Sequence, residues 1–495
     1  PTIVGFAYPF SLNAGGNVDF KVSTDASDYR LDIYRLGYYE GHGARKITSL
    51  KPSARLPQLQ PDPVRDAKLG LVDCANWSVS ASWKVPVDAT SGLYVARLVR
   101  PEPSLTWRAD NTQAAADAWM TGAPVGSLIS DDSSNVRAPA HGIDTSSKPQ
   151  SVPEAYGTSL HASLRNRLSE SRASHIYFVV RQDDSRAAIV LQTSDTTWQA
   201  YNSFGGTSLY GSFGSAHDTP AEPRSYVASY NRPIVTRDYR AINAPFGAEY
   251  PLIRFLERNG YDVTYQSGLD THLKGVGPHH RVFISSGHDE YWSGDQRSQV
   301  ESARDRGVHL VFLSGNEVFW RIRWQASEVD SQANPTMVCY KESMATRRLD
   351  PELGEWTGTW RDWRDLNPHG SRPENSLTGT MYMVDTWANF PILVPKRFSK
   401  HRFWRNTRVT EASANPAILM KGLIGHEFDE DIDNGFRPPG LVRLSETILD
   451  NVVCLQDHGA VFDSGTATHH LTLYRASSGA LVFGAGTCQW AWGLE

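Results

Sequence analysis

The chain has 495 residues, too many for one ordinary domain, so two or three are expected. A formal charge of -5 with no long basic run excludes nucleic acid and anionic membranes as natural partners. No apolar stretch approaches the roughly 20 residues of a membrane span, and abundant Trp, Tyr and Phe belong to a soluble protein with large cores.

The chain opens at Pro1 rather than Met, directly before the strand-like Ile3-Val4-Gly5-Phe6. A removed export signal therefore stays open, and with it a cytoplasmic or an exported location. Val18, Phe20 and Val22 alternate on one face of a strand, and the pattern returns over 31–36, 77–83 and 93–98. Short strands separated by Gly, Pro, Asn and Asp predict a β-sandwich. Residues 101–171 break the rhythm and read as an insertion, with a helix marked by Leu160, Leu164 and Leu168. The run 175–181 then closes the sandwich by pairing near Leu93 to Leu98, which sets the first domain at 1–183.

Over 184–495 strands alternate with helices. Residues 187–191, 261–265, 280–285 and 308–313 are apolar strands. Helices are expected over 251–259, with Leu252, Phe255 and Leu256 inward, and over 296–306; Gly260 and Gly307 stop them. This order predicts a parallel sheet covered by helices on both faces, with ligands beyond the carboxyl ends of its strands. His288, Glu290 and Asn316 fall there. The remainder is less regular and rich in Trp and Arg until a β-like close over 471–492, and there is no internal repeat.

Two segments carry chemistry. Trp198-Gln199-Ala200-Tyr201-Asn202 leads through Gly205-Gly206 to Tyr210. An apolar strand from Val282 empties into Gly287-His288-Asp289-Glu290-Tyr291. Two tyrosines and a carboxylate at the exits of neighbouring strands are hard anionic oxygen donors, suited to ferric iron better than to zinc. Taken singly, each is an ordinary structural residue: a tyrosine with a wet hydroxyl, a carboxylate before a helix, an Asn in a turn. Their ordered combination favours the ligand reading.

These segments, with Gly315-Asn316, Phe319-Trp320-Arg321 and, more loosely, Gly425-His426-Glu427-Phe428-Asp429 and Ala485-Gly486-Thr487-Cys488-Gln489-Trp490, resemble the N,N-dimethylformamidase large-subunit family. The similarity is closer to its uncharacterised relatives than to dimethylformamidase itself. Leu36-Gly37-Tyr38-Tyr39 and Ser91-Gly92-Leu93-Tyr94 resemble the amino-terminal module of those relatives. The resemblance implies a glutaminase-like (flavodoxin-like) α/β domain beside an immunoglobulin-like β-sandwich. It also implies a mononuclear iron (Fe3+) that hydrolyses a small-molecule amide, with a small accessory subunit or a homo-oligomer as partner. Carried over by residue, it assigns Tyr201, Tyr210 and Glu290 to the metal, His288 and Asn316 to its polar neighbours, and Glu427 to a further acid.

Tyr201 and Tyr210 stand closer together than the family's pair, so Tyr226 and Tyr230 stay open as the second ligand, and Asp289 stands where a proline is expected. In the chemistry implied, Glu427 moves the proton, Asn316 meets the oxyanion, and His288 does the same or orients Glu290. Read instead as a solvated loop, Phe428-Asp429-Glu430-Asp431 would leave Glu427 without a role.

Other readings compete. A non-catalytic protein would use the sandwich to recognise a glycan or a partner. A cysteine amidase would need a nucleophile elbow, and the one candidate, Cys339, has no nearby His. The separated Cys74, Cys339, Cys454 and Cys488 are expected as buried thiols. The Trp/Arg run 320–324 with Trp356, Trp360 and Trp363 is expected to pack and pair structurally. His279-His280 and His469-His470 are not expected to share an ion, because strand neighbours point to opposite faces.

Overall fold

Alternation decides the first hundred residues. Val18, Phe20 and Val22 are fully buried and share one apolar core with Leu31, Ile33, Tyr94, Ala96, Leu98, Ile176 and Phe178. That core lies between a three-stranded sheet (Ile3–Tyr8, Asn17–Thr24, Ala81–Lys84) and a five-stranded sheet. The second runs Ser11–Asn13, Ala173–Arg181, Gly92–Val99, Arg30–Leu36, Ala44–Leu50. The pairing expected for 175–181 is present: Ala173–Arg181 runs antiparallel to Gly92–Val99. The strand expected over 77–83 forms only at Ala81–Lys84.

The computed structural model describes residues 3–100, 136–137, 173–211, 224–234, 244–344, 348–352, 354–413 and 415–494. Apart from 136–137, the insertion expected over 101–171 and its helix lie outside the described residues. Val136–Arg137 pairs antiparallel with Thr447–Leu455, far along the chain.

The strands Gly92–Val99 and Ala173–Arg181 read as continuous apolar runs because both faces are covered. Tyr94, Ala96 and Phe178 face the sheet-to-sheet core, whereas Leu93, Val95, Tyr177 and Val179 belong to the core around the helix Tyr250–Arg258. The boundary set at 183 therefore falls between strands, and the apolar core crosses it. Polar contacts cross it as well: Arg35 pairs with Glu257 at 2.7 Å and Arg181 with Asp270 at 2.7 Å.

The central sheet has seven strands in the order Val263–Gln266, Ile189–Gln192, Val282–Gly287, His309–Ser314, Leu481–Gly484, Thr472–Arg475, Val442–Arg443. The first five are parallel, and the last two turn back. Alternate side chains go to opposite layers. Val190, Phe283, Leu310, Phe312 and Val482 pack with Val300 and Ala303 of the helix Gly294–Asp305. Ile189, Leu191, Ile284, Leu313 and Phe483 pack with Leu252, Ile253 and Leu256 of Tyr250–Arg258. Helices thus cover both faces. Gly260 and Gly307 follow these helices in the left-handed region, as their stop positions require. No helix among the described residues is long and apolar enough to cross a membrane.

The stretch expected to be irregular contains a further sheet. Met381–Phe390, Ile424–Glu430, Phe462–His469 and Thr447–Leu455 close on one another into a small barrel. Glu427 and Asp429 lie on one of its strands and are 6% and 1% exposed, which corrects the solvated-loop alternative.

Candidate metal centre

Three chain reversals at the carboxyl ends of the parallel strands build the site. After Ile189–Gln192 the chain enters the helix Asp195–Tyr201, so Tyr201 is a helix-terminal residue and not part of a strand-exit loop as expected. Gly205 and Gly206, both at positive φ, then fold the chain back. A side chain at Gly205 would meet Val72 Cγ1 at 2.7 Å, so only glycine fits. The return lays the Tyr210 ring on the Tyr201 ring at 4.2 Å.

After Val282–Gly287 the backbone turns at Gly287 (φ +81), where a Cβ would meet Ala248 Cβ at 2.4 Å. Side chains then alternate: His288 and Glu290 face the tyrosines. Asp289 goes beneath them to accept from Gln192 Nε2 (2.6 Å) and Ser285 Oγ (2.9 Å), and burial pushes it up to about 7. The Glu290 backbone is clamped. Its N–H donates to Thr197 Oγ1 (3.1 Å) and its carbonyl accepts from Phe319 N (2.9 Å). After His309–Ser314, Asn316 (φ +48) and Val318 (φ +56) are both left-handed. For Asn that is tolerated; for a β-branched Val it is strain, held here by the Val318 N–H donating to Asp289 O (3.1 Å).

The polar atoms converge on Glu290. The Tyr210 hydroxyl donates to both carboxylate oxygens, at 2.7 and 2.8 Å. The Tyr201 hydroxyl reaches Oε2 at 3.4 Å, and His288 Nε2 lies 3.3 Å from the same oxygen. His288 Nε2 is also 2.9 Å from Glu427 Oε2, to which Asn316 Nδ2 donates at 2.7 Å. The Asn316 N–H donates to Asp429 Oδ1 at 2.9 Å. All six residues singled out by sequence therefore meet, but Asn316 is bound to Glu427 rather than standing apart to receive an oxyanion. The alternatives to Tyr210 are turned elsewhere. Tyr230 donates to Asp195 Oδ2 at 2.7 Å, and Tyr226 stacks on Tyr340 at 4.7 Å.

Three neighbours were not foreseen. Tyr291 donates its hydroxyl to that of Tyr210 at 2.5 Å; it ends the Gly-His-Asp-Glu-Tyr run, which gave it no role of its own. Lys341 places Nζ 3.4 Å from the centre of the Tyr210 ring and 4.7 Å from that of Trp320, and nothing in its sequence surroundings marks it. His426 sits beside Glu427 with Nε2 3.6 Å from Oε1. Its mark was its place in the Gly-His-Glu run.

The electrostatics point one way. Burial, then the Glu290 charge, holds the Tyr201 and Tyr210 hydroxyls well above 10. Burial also raises Glu290, against the pull of His288 and Lys341, and lowers His288. Two phenol oxygens and a carboxylate in mutual reach, with Tyr201 and Glu290 buried and Tyr210 37% exposed, fit a hard cation of high charge, which would reverse the sign of these shifts.

The other constellations are structural. The four cysteines are buried free thiols. His469 Nε2 lies 2.9 Å from Ala485 O, and burial takes it down to about 3. Trp356 and Trp360 are buried, with Arg297 4.6 Å from the Trp360 ring centre, whereas Trp363 is exposed.

A family profile described as N,N-dimethylformamidase beta subunit-like, C-terminal, matches residues 30–495. None of the curated proteins compared with the chain matches it. The profile covers the five-stranded sheet from Arg30 onward, the central sheet, the barrel and every residue of the site. The chain thus belongs to the N,N-dimethylformamidase beta subunit-like, C-terminal family.

Proposed function

We propose that this protein is an iron-dependent amidohydrolase that cleaves the carbon–nitrogen bond of a small amide. Tyr201, Tyr210 and Glu290 would hold a ferric ion in a glutaminase-like α/β domain. Family membership supports the hydrolase reading, and the Tyr210 hydroxyl astride both Glu290 oxygens carries the metal reading. The five parallel strands with helices on both faces support the fold assignment.

When bound, such an ion supplies Lewis acidity: it polarises the amide carbonyl and makes water a nucleophile at neutral pH. The chain does the rest. Glu290 is fixed through its backbone, so its carboxylate stays on the tyrosines. Glu427 accepts the proton of the attacking water and returns it to the leaving nitrogen. Asn316 and His288, both on Glu427 Oε2, orient that carboxylate and leave Oε1 for the proton. His288 also joins Glu427 to Glu290, so the two carboxylates keep a fixed relation.

The test is an assay of iron-loaded protein against a panel of formamides and other small amides, reading both the amine and the carboxylate released. Glu427→Gln should keep the iron and lower turnover by roughly 10²–10⁴-fold. No release of amine from any amide, with iron present in full, would refute the proposal.

A further inference from the structure

We propose that His288, His426 and Glu427 form a second metal site, separate from the tyrosine cluster and suited to zinc, whose occupation inhibits the enzyme by taking Glu427 out of proton transfer. The inhibition rests on the role given to Glu427 above; the site itself does not.

The three side chains are buried, and one ligand atom from each lies within 4.8 Å of the others. His288 Nε2 is 2.9 Å from Glu427 Oε2, and His426 Nε2 is 3.6 Å from Glu427 Oε1. Tetrahedral zinc, with bonds of about 2.0–2.2 Å, separates its ligands by about 3.3 Å, within the span these atoms already occupy. Two imidazoles and one carboxylate are a donor set for zinc, with a fourth position left for water. Two phenol oxygens and a carboxylate are not. The two sets meet at His288, whose Nε2 is 3.3 Å from Glu290.

The backbone explains how neighbours come to act together. Successive side chains on a strand point to opposite faces, so His426 and Glu427 should diverge. They do not, because His426 is left-handed (φ +42). At the same place the pairing with Met381–Phe390 slips, from Thr386 opposite His426 to Asn389 opposite Gly425. Such a bulge re-aims side chains. Gly425 permits it: at φ +155 a Cβ would meet Gln489 Oε1 at 2.7 Å and Ala388 O at 2.8 Å. A left-handed backbone is unfavourable for any residue with a Cβ. Strain of this kind is kept where a side chain must be placed, and the hydrolysis proposed above gives His426 no task.

The test titrates the iron-loaded protein with zinc. Bound zinc and iron are measured by elemental analysis after dialysis, together with the visible absorption of the iron and amide hydrolysis. The expected result is about one zinc per chain on top of retained iron, an unchanged absorption band, and lost activity that a chelator restores. His426→Asn keeps a residue that accepts the left-handed backbone and should bind zinc at least about tenfold more weakly with iron intact. Glu427→Gln should weaken zinc likewise, and Tyr201→Phe should lose iron yet still bind zinc. Zinc that displaces iron one for one, or that binds His426→Asn as tightly as the parent, would overturn the proposal. Zinc bound through His426 in a protein that takes up no iron would uphold this site and refute the ferric reading, so the two fail separately.

Discussion

Two buried regions of this protein are built on opposite terms. Between the amino-terminal sheets, Val18, Phe20, Val22, Leu31, Ile33 and Phe178 pack their side chains into one apolar cluster, and each is fully buried. At the carboxyl ends of the parallel strands, Asp195, Glu249, Asp289, Glu290, Glu317, Glu427 and Asp429 are buried as well, each at most 6% exposed. Burying carboxyls is unfavourable unless they keep a proton or gain a positive partner. Burial accordingly lifts Asp195 to about 6, Asp289 and Asp429 to about 7, and Glu249 to about 8. The first region holds the chain together and has no chemistry to offer. The second is tolerated because the first, and the core around Tyr250–Arg258, are well packed.

The comparison breaks most visibly at Glu290. Glu290→Gln should abolish iron binding altogether while the circular dichroism of the metal-free protein stays that of the folded parent, because the side chain contributes nothing to an apolar core. Tyr201→Phe and Tyr210→Phe should behave in the same way, whereas Tyr226→Phe and Tyr230→Phe should keep their iron. In the other region the outcome inverts. Phe178→Ala removes a ring that packs edge-on against Phe20 at 5.6 Å and should cost about 3–5 kcal/mol in urea denaturation, with iron per folded chain unaltered.

Smaller effects sharpen the contrast inside the second region. Asn316→Gly accepts the left-handed backbone but frees Glu427, so turnover should fall about 10–100-fold with iron retained. Glu249 tests the protonation account. Its carboxyl accepts from the Ser194 N–H (2.7 Å) and Oγ (2.5 Å), and burial raises it to about 8. The folded chain therefore holds a proton that the unfolded chain gives up near pH ~4.3. This contribution to stability is complete below that pH and is lost as pH rises through about 8. Glu249→Gln mimics the protonated form. Its unfolding midpoint should match the parent near pH 4 and exceed it by a few degrees at pH 9. A gap that does not grow with pH would contradict the assignment.

The same contrast sets what could be read from sequence. Periodicity located six of the eight strands of the amino-terminal sheets, missing Ser11–Asn13 and Ala44–Leu50, and it located the parallel strands and both long helices to within a few residues, because apolar burial writes itself at fixed spacing. It also put His288, Glu290 and Asn316 beyond strand ends. It did not show that Tyr201 closes a helix, since all seven residues Asp195–Tyr201 are buried, and the polar Asp195, Thr196, Thr197 and Gln199 are buried with Trp198 and Ala200, so no apolar period marks the turn. The barrel was missed for a related reason. Its strands are interrupted by register shifts, and Glu427, Asp429 and Glu430 make a buried strand look like a solvated acidic loop. Lys341 was illegible because its place over Tyr210 is set by strands that pair across more than a hundred residues, Val227–Ser229 with Thr336–Val338.

The central claim is that Tyr201, Tyr210 and Glu290 hold a ferric ion. Metal analysis of the purified protein, combined with its visible spectrum and that of Tyr210→Phe, tests it most directly. The account predicts about one iron per chain and a tyrosinate-to-iron absorption band, with both lost in Tyr210→Phe. A colourless protein carrying stoichiometric zinc, or a coloured one whose band and iron survive in Tyr210→Phe, would contradict it.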